Sequence, residues 1–157
     1  MKTSYGKVAR IMALVIGVLG VSFAHAQPVT GTSGEVKWID APGSLSRGAK
    51  LAMLYGDFGR PVAFTFQLKL PAGYQIKPHM SSGIDLMFVQ SGTFNMGYGN
   101  EFDKAATLPM GAGYVAGIPP KTTYFAWTDV ETILYVQGIG PWTVTYVNPD
   151  DDPRKKK

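Results

Sequence analysis

From residue 62 to residue 70 apolar positions alternate strictly with polar or small ones. Val62, Phe64, Phe66, Leu68 and Leu70 form one set, and Ala63, Thr65, Gln67 and Lys69 the other. Successive side chains on a strand point to opposite faces, so this period of two predicts a β-strand with the first set turned to a core. Pro71, Ala72 and Gly73 then turn the chain. Residues 84–90 are more continuously apolar and predict a strand buried on both sides. Shorter strands are expected at 36–39, 50–55, 93–96, 114–118, 124–127, 132–137 and 143–147. The single helical candidate is a short turn within 100–106. No long stretch carries the helical period, and 19 glycines and 11 prolines supply the turns that many short strands need. The expected class is all-β, with two facing antiparallel sheets forming a sandwich or barrel.

The N-terminus follows a different pattern. Lys2, Lys7 and Arg10 precede an apolar run over 11–24, and Ala24-His25-Ala26 closes it. A basic head, a short apolar middle and a small-x-small exit describe a secretory signal peptide over 1–26. The run is short for a bilayer span, which needs about 20 residues. The expected organisation is therefore a signal over 1–26, a Gly-, Thr- and Ser-rich lead-in over 27–35, one domain over 36–153 and a basic tail over 154–157. The signal is bacterial in style, which points to the periplasm and to no stable membrane insertion after cleavage. Without Lys2, Lys7 and Arg10 the remainder is nearly neutral, and Asp150, Asp151 and Asp152 offset the basic tail. No clustered basic face with a reading motif is present, which argues against nucleic acid as a partner. The chain has no cysteine, so disulfides, thiolate metal sites and cysteine nucleophiles are excluded.

Two spacings carry the remaining information. The first runs from Gly73 through His79, Ser81 and Asp85 to Gly92. The second runs from Gly113 through Pro119, Lys121 and Tyr124 to Thr128. In these spacings the chain resembles the cupin family, and specifically a small exported single-domain bacterial cupin. The resemblance covers roughly residues 38–153 and includes Leu70-Pro71-Ala72-Gly73-Tyr74 and Gly138-Ile139-Gly140-Pro141-Trp142. It implies a jelly-roll β-barrel whose mouth holds a metal or small ligand, and a tendency to form a homodimer. It also implies a metal site of two histidines and a glutamate from the first motif and a histidine from the second. Those four positions hold His79, Ser81, Asp85 and Tyr124 here. One imidazole stands where three are usual, and divalent first-row metals favour several nitrogen donors.

Three roles for His79 stay open: a structural group beside Asp85 or Tyr124, an acid or base in a metal-free pocket, or a ligand of a residual divalent metal or iron with Asp85 and Tyr124. Three functional classes follow, one of them a structural or assembly role with no small ligand. In the first, the barrel binds a small molecule, with Phe88, Tyr98, Tyr124 and Trp127 as walls and His79, Ser81 and Asp85 as polar contacts. In the second, the protein is an enzyme of isomerase, lyase or epimerase type. His79 would then be the base, Tyr124 the acid and Asp85 the group orienting the imidazole. Trp142 reads as a core or rim aromatic. No Gly-x-Ser-x-Gly elbow and no phosphate-cradling loop are present.

Overall fold

The computed structural model describes residues 36–155. The expected signal peptide and lead-in lie outside the described residues. Eleven strands follow in order: β1 (Ile39–Asp40), β2 (Lys50–Gly56), β3 (Ala63–Leu70), β4 (Gln75–Ser81), β5 (Asp85–Ser91), β6 (Thr93–Tyr98), β7 (Leu108–Gly111), β8 (Val115–Ile118), β9 (Tyr124–Thr128), β10 (Thr132–Ile139) and β11 (Val144–Tyr146). The expected helical turn is a single 3₁₀ turn at Lys104–Ala106, capped by Asp103. Among the described residues no helix is long and apolar enough to cross a membrane.

The strands form two antiparallel sheets. One has six strands in the order β1-β2-β3-β10-β5-β8, and the other has five in the order β11-β4-β9-β6-β7. They face each other as a jelly roll, but no strand is shared or paired between them, so hydrogen bonding does not close the barrel. The longest register is β3 against β10, running from Leu70 opposite Thr132 to Ala63 opposite Ile139.

The alternation in β3 holds for four of its five apolar members. Phe64, Phe66, Leu68 and Leu70 are buried, whereas Val62 is 40% exposed and precedes the strand. Gln67 belongs to the outer set yet is buried, donating from its amide to Gln90. Strand β5 corrects the expectation of burial on both sides. Asp85, Met87 and Val89 face the core, Leu86 and Phe88 are half-buried on the outer face, and Ile84 is 46% exposed. The facing sheet contributes Ile76, Phe94, Met96, Met110, Tyr124 and Ala126 to the same core. At one end Phe58, Phe66 and Trp142 meet edge to face, with centroids 6.0–6.3 Å apart.

The motif spacing has a backbone cause. Gly73, Gly92 and Gly113, which bound the two motifs, all adopt positive φ. At Gly92 a Cβ would also lie 2.4 Å from the Glu131 carbonyl oxygen and 2.5 Å from Thr132 Oγ1, so the β5–β6 turn admits only glycine without rearrangement. Thr128 ties the motifs together. Its hydroxyl donates to the Pro71 carbonyl, and its own carbonyl accepts from the Gly73 amide. Toward the other terminus Arg154, the first residue of the basic tail, pairs with Asp152 at 2.8 Å and donates to the Val144 carbonyl.

Truncating a buried aromatic removes its transfer energy and leaves a cavity. Phe66→Ala is therefore expected to lower stability by about 3–5 kcal/mol in a denaturant titration. Val62→Ala, outside the core, is expected to change it by less than about 0.5 kcal/mol. Equal effects would mean that the facing sheets do not pack as described.

Candidate functional site

Five segments converge at one end of the core. Strand β4 carries His79 and Ser81, two residues apart and so on one face. Strand β9 begins at Tyr124, directly opposite His79, and Tyr146 of β11 flanks His79 on the other side. These residues all belong to the five-stranded sheet. Asp85 comes from the six-stranded sheet, at the start of β5. The fifth segment is the turn before β11, which contributes Trp142.

The centre of the site is the Asp85 carboxyl, 1% exposed. One oxygen accepts from Ser81 Oγ at 2.6 Å and from the Tyr124 hydroxyl at 3.0 Å. The other accepts from Trp142 Nε1 at 2.6 Å. Three donors from three segments thus occupy both oxygens, as an acceptor-only carboxylate in a dry site requires. Among the described residues the two ion pairs, Lys50–Asp40 and Arg154–Asp152, lie elsewhere, and Asp85 has no cationic partner.

His79 does not hydrogen-bond to Asp85. Its Nδ1 lies 2.8 Å from the Lys77 carbonyl oxygen. A carbonyl can only accept, so Nδ1 carries the proton and donates. Burial pushes the imidazole's pKa below its ordinary value, against weaker opposing effects of the Lys77 carbonyl and the Asp85 charge. The neutral ring therefore presents an unprotonated Nε2. Its ring packs on Tyr124 at 4.2 Å between centroids and on Tyr146 at 5.7 Å. Asp85 orients Tyr124 and Ser81, and the Lys77 carbonyl orients the imidazole. This corrects the expectation that Asp85 orients His79. Burial, then the Asp85 charge and the hydrogen bond to it, push the Tyr124 pKa well above its ordinary value of 10.0, which keeps it a phenol. The Tyr146 hydroxyl is pushed up to about 12, chiefly by burial.

A cavity of about 50 Å³ lies beside this network, between the sheets. His79, Asp85 and Tyr124 form its polar end, and Leu45, Phe58 and Met87 are among the apolar residues that line the rest. Leu45 belongs to a loop, residues 41–49, that also lines the cavity with Pro42 and Ser44. Two tyrosine hydroxyls hold that loop by its backbone: Tyr74 donates to the Ser46 carbonyl and Tyr146 to the Ser44 carbonyl.

The seven expected contact residues therefore divide. His79, Ser81, Asp85 and Tyr124 come together, whereas Phe88, Tyr98 and Trp127 do not line the cavity. Strand parity decides two of these. Phe88 lies between inward-facing Met87 and Val89, and Trp127 between inward-facing Ala126 and Thr128. On the outer face Trp127 donates to Thr107 and carries Lys104 over its ring. Tyr98 ends β6 at the rim and is 59% exposed. Sequence reasoning missed Trp142, Tyr146, Phe58 and Leu45. Only Trp142 sat in a segment with a family signal.

No protein-family model matches the chain, and no curated protein matches it. Solved structures do. The polyketide cyclase RemF from Streptomyces resistomycificus superposes with a TM-score of 0.68 at 16% identity, covering 82% of this chain and 92% of that one. An RmlC-like cupin from Shewanella frigidimarina gives a TM-score of 0.56 at 15% identity, covering 72% and 91%. KdgF from Halomonas sp. gives 0.54 at 15% identity, covering 69% and 93%. This chain has the cupin fold. At these identities the likeness concerns architecture, and the cupin scaffold hosts different chemistries.

Removing the central carboxyl would leave a hydroxyl, a phenol and an indole N–H buried without partners. Asp85→Ala is expected to destabilise the protein by about 3–5 kcal/mol in chemical denaturation. A loss below about 1 kcal/mol would show that the network does not hold the sheets together.

Proposed function

We propose that this cupin is an exported small-molecule-binding protein that works without a divalent metal. The observation that carries the reading is the engagement of both Asp85 oxygens by the protein. The carboxyl at the position of the family's glutamate accepts from Ser81 and Tyr124 on one oxygen and from Trp142 on the other, so a metal would have to compete with these donors for it. Ser81 spends its hydrogen on the same carboxyl, and Tyr124 is held as a phenol. Among the described residues no three His, Cys, Asp or Glu side chains cluster as a cation site. The one free donor atom is His79 Nε2, and a single imidazole does not match the three or four donors that zinc, nickel or manganese sites use. The residues present therefore do not fit the metal that the fold family implies. What they do fit is an apolar cavity with one polar end, the usual design of a small-ligand pocket.

A second reading is an isomerase, lyase or epimerase in which His79 is the base and Tyr124 the acid. The unprotonated Nε2 beside the Tyr124 ring favours it. The commitment of the Tyr124 hydrogen to Asp85 weighs against it, because that proton is not offered to the cavity.

Calorimetric titration with zinc, nickel, manganese and iron(II) is expected to show no stoichiometric binding. Tight one-to-one binding lost in both His79→Ala and Asp85→Ala would overturn the metal-free reading. Export is supported by the basic head, the apolar run and Ala24-His25-Ala26. N-terminal sequencing of protein from a periplasmic extract is expected to begin at Gln27. Recovery of intact Met1 in a membrane fraction would refute it.

A further inference from the structure

The polarity of the cavity's inner end is set by where each hydrogen goes. Ser81 gives its hydroxyl hydrogen to Asp85, Tyr124 gives its phenolic hydrogen to Asp85, and Trp142 gives its indole hydrogen to Asp85. His79 gives its Nδ1 hydrogen to the Lys77 carbonyl. Every donor at this end is thus committed to the protein. What is left over accepts: the lone pair of His79 Nε2 and the second acceptor site of the Asp85 oxygen that Trp142 engages. The other polar side chain of the lining, Ser44, is half-buried on the loop of residues 41–49.

We propose, building on the binding reading above, that this inner end accepts hydrogen bonds and donates none, so that the domain selects a small neutral molecule bearing a hydroxyl group and rejects carboxylates and other anions. Two features act in the same direction. An alcohol hydrogen pointed at Nε2 satisfies both partners, whereas a carboxylate would meet a second lone pair. The buried Asp85 carboxyl, which lacks a cationic partner among the described residues, would also repel an anion brought into the same low-dielectric space. An anion entering here would lose its hydration without gaining a donor. Size narrows the choice further. A cavity of about 50 Å³ admits a few non-hydrogen atoms, since a single water needs roughly 10–15 Å³ on the same kind of measure. A short branched alcohol meets both limits.

The test uses three probes of similar shape on the full-length protein: isobutanol, isobutyl chloride and isobutyrate. Binding is followed by NMR, with the imidazole nitrogens of His79 as reporters. Isobutanol is expected to bind at millimolar concentration, to move the Nε2 resonance, and to bind roughly five- to ten-fold tighter than the chloride, the worth of one hydrogen bond. Isobutyrate is expected not to bind. His79→Phe, checked for folding by its thermal transition, is expected to bring the alcohol and the chloride to equal affinity. If isobutyrate binds as well as the alcohol, or the chloride binds equally in the unaltered protein, the acceptor-only inference is wrong while a small-molecule pocket stands. If none of the three binds, the pocket reading itself fails and this inference falls with it.

Discussion

One buried carboxyl group organises the functional end of this protein. Asp85 belongs to the six-stranded sheet, but all three of its hydrogen-bond donors reach it from elsewhere: Ser81 and Tyr124 from the five-stranded sheet, and Trp142 from the turn before β11. Hydrogen bonding along the strands does not join the two sheets. At this end Asp85 joins them instead; elsewhere the buried Thr132 hydroxyl of β10 bonds to the Thr93 backbone of β6, and the core between is apolar. A carboxylate is stable in such a place only when its lone pairs are met, and hydrogen bonds to a charged group are stronger than neutral ones. The arrangement of β4, β9 and the Trp142 turn around it follows from that requirement.

The same requirement shapes the chemistry left for a ligand. Donors that satisfy a buried carboxyl are not free to face a cavity. Satisfying Asp85 therefore strips the pocket of hydrogens and leaves it with an imidazole lone pair. The His79 ring is fixed independently, through the Lys77 carbonyl and the flanking rings of Tyr124 and Tyr146. In this chain the four side chains form a hydrogen-bond network whose donors are all turned onto the protein. The scaffold around it is unchanged in outline, as the superpositions on a polyketide cyclase and on an RmlC-like cupin show. Architecture and site chemistry vary separately because the core packs on strand faces, while the chemistry resides in a few side chains at one end.

Beside the cavity the loop of residues 41–49 is held by the hydroxyls of Tyr74 and Tyr146. Both partners on the loop are backbone carbonyls, so the contact constrains the path of the chain and not its residue types. Nothing in the composition of this loop distinguishes it from an ordinary turn. Its place beside the cavity follows from where the turn before β4 and strand β11 put the two tyrosines.

The sequence by itself determined the all-β class and the inward face of β3, and its resemblance to the cupins pointed to His79, Ser81, Asp85 and Tyr124 as one group. The first two rest on local rules. A period of two sets a strand's faces, and glycines at positive φ hold the turns of both motifs at fixed spacing. The tertiary structure alone decided the rest. Phe88 and Trp127 look like pocket walls by residue type, yet the parity of their strands turns them outward. Val62 fits the alternation of β3 but falls before the strand begins. Trp142 has no neighbour in sequence that ties it to Asp85, 57 residues away. Whether Asp85 orients His79 or Tyr124 depends on distances across two sheets, which no spacing along the chain encodes. Local periodicity specifies which face a side chain takes, whereas only packing between sheets specifies which partner it meets there.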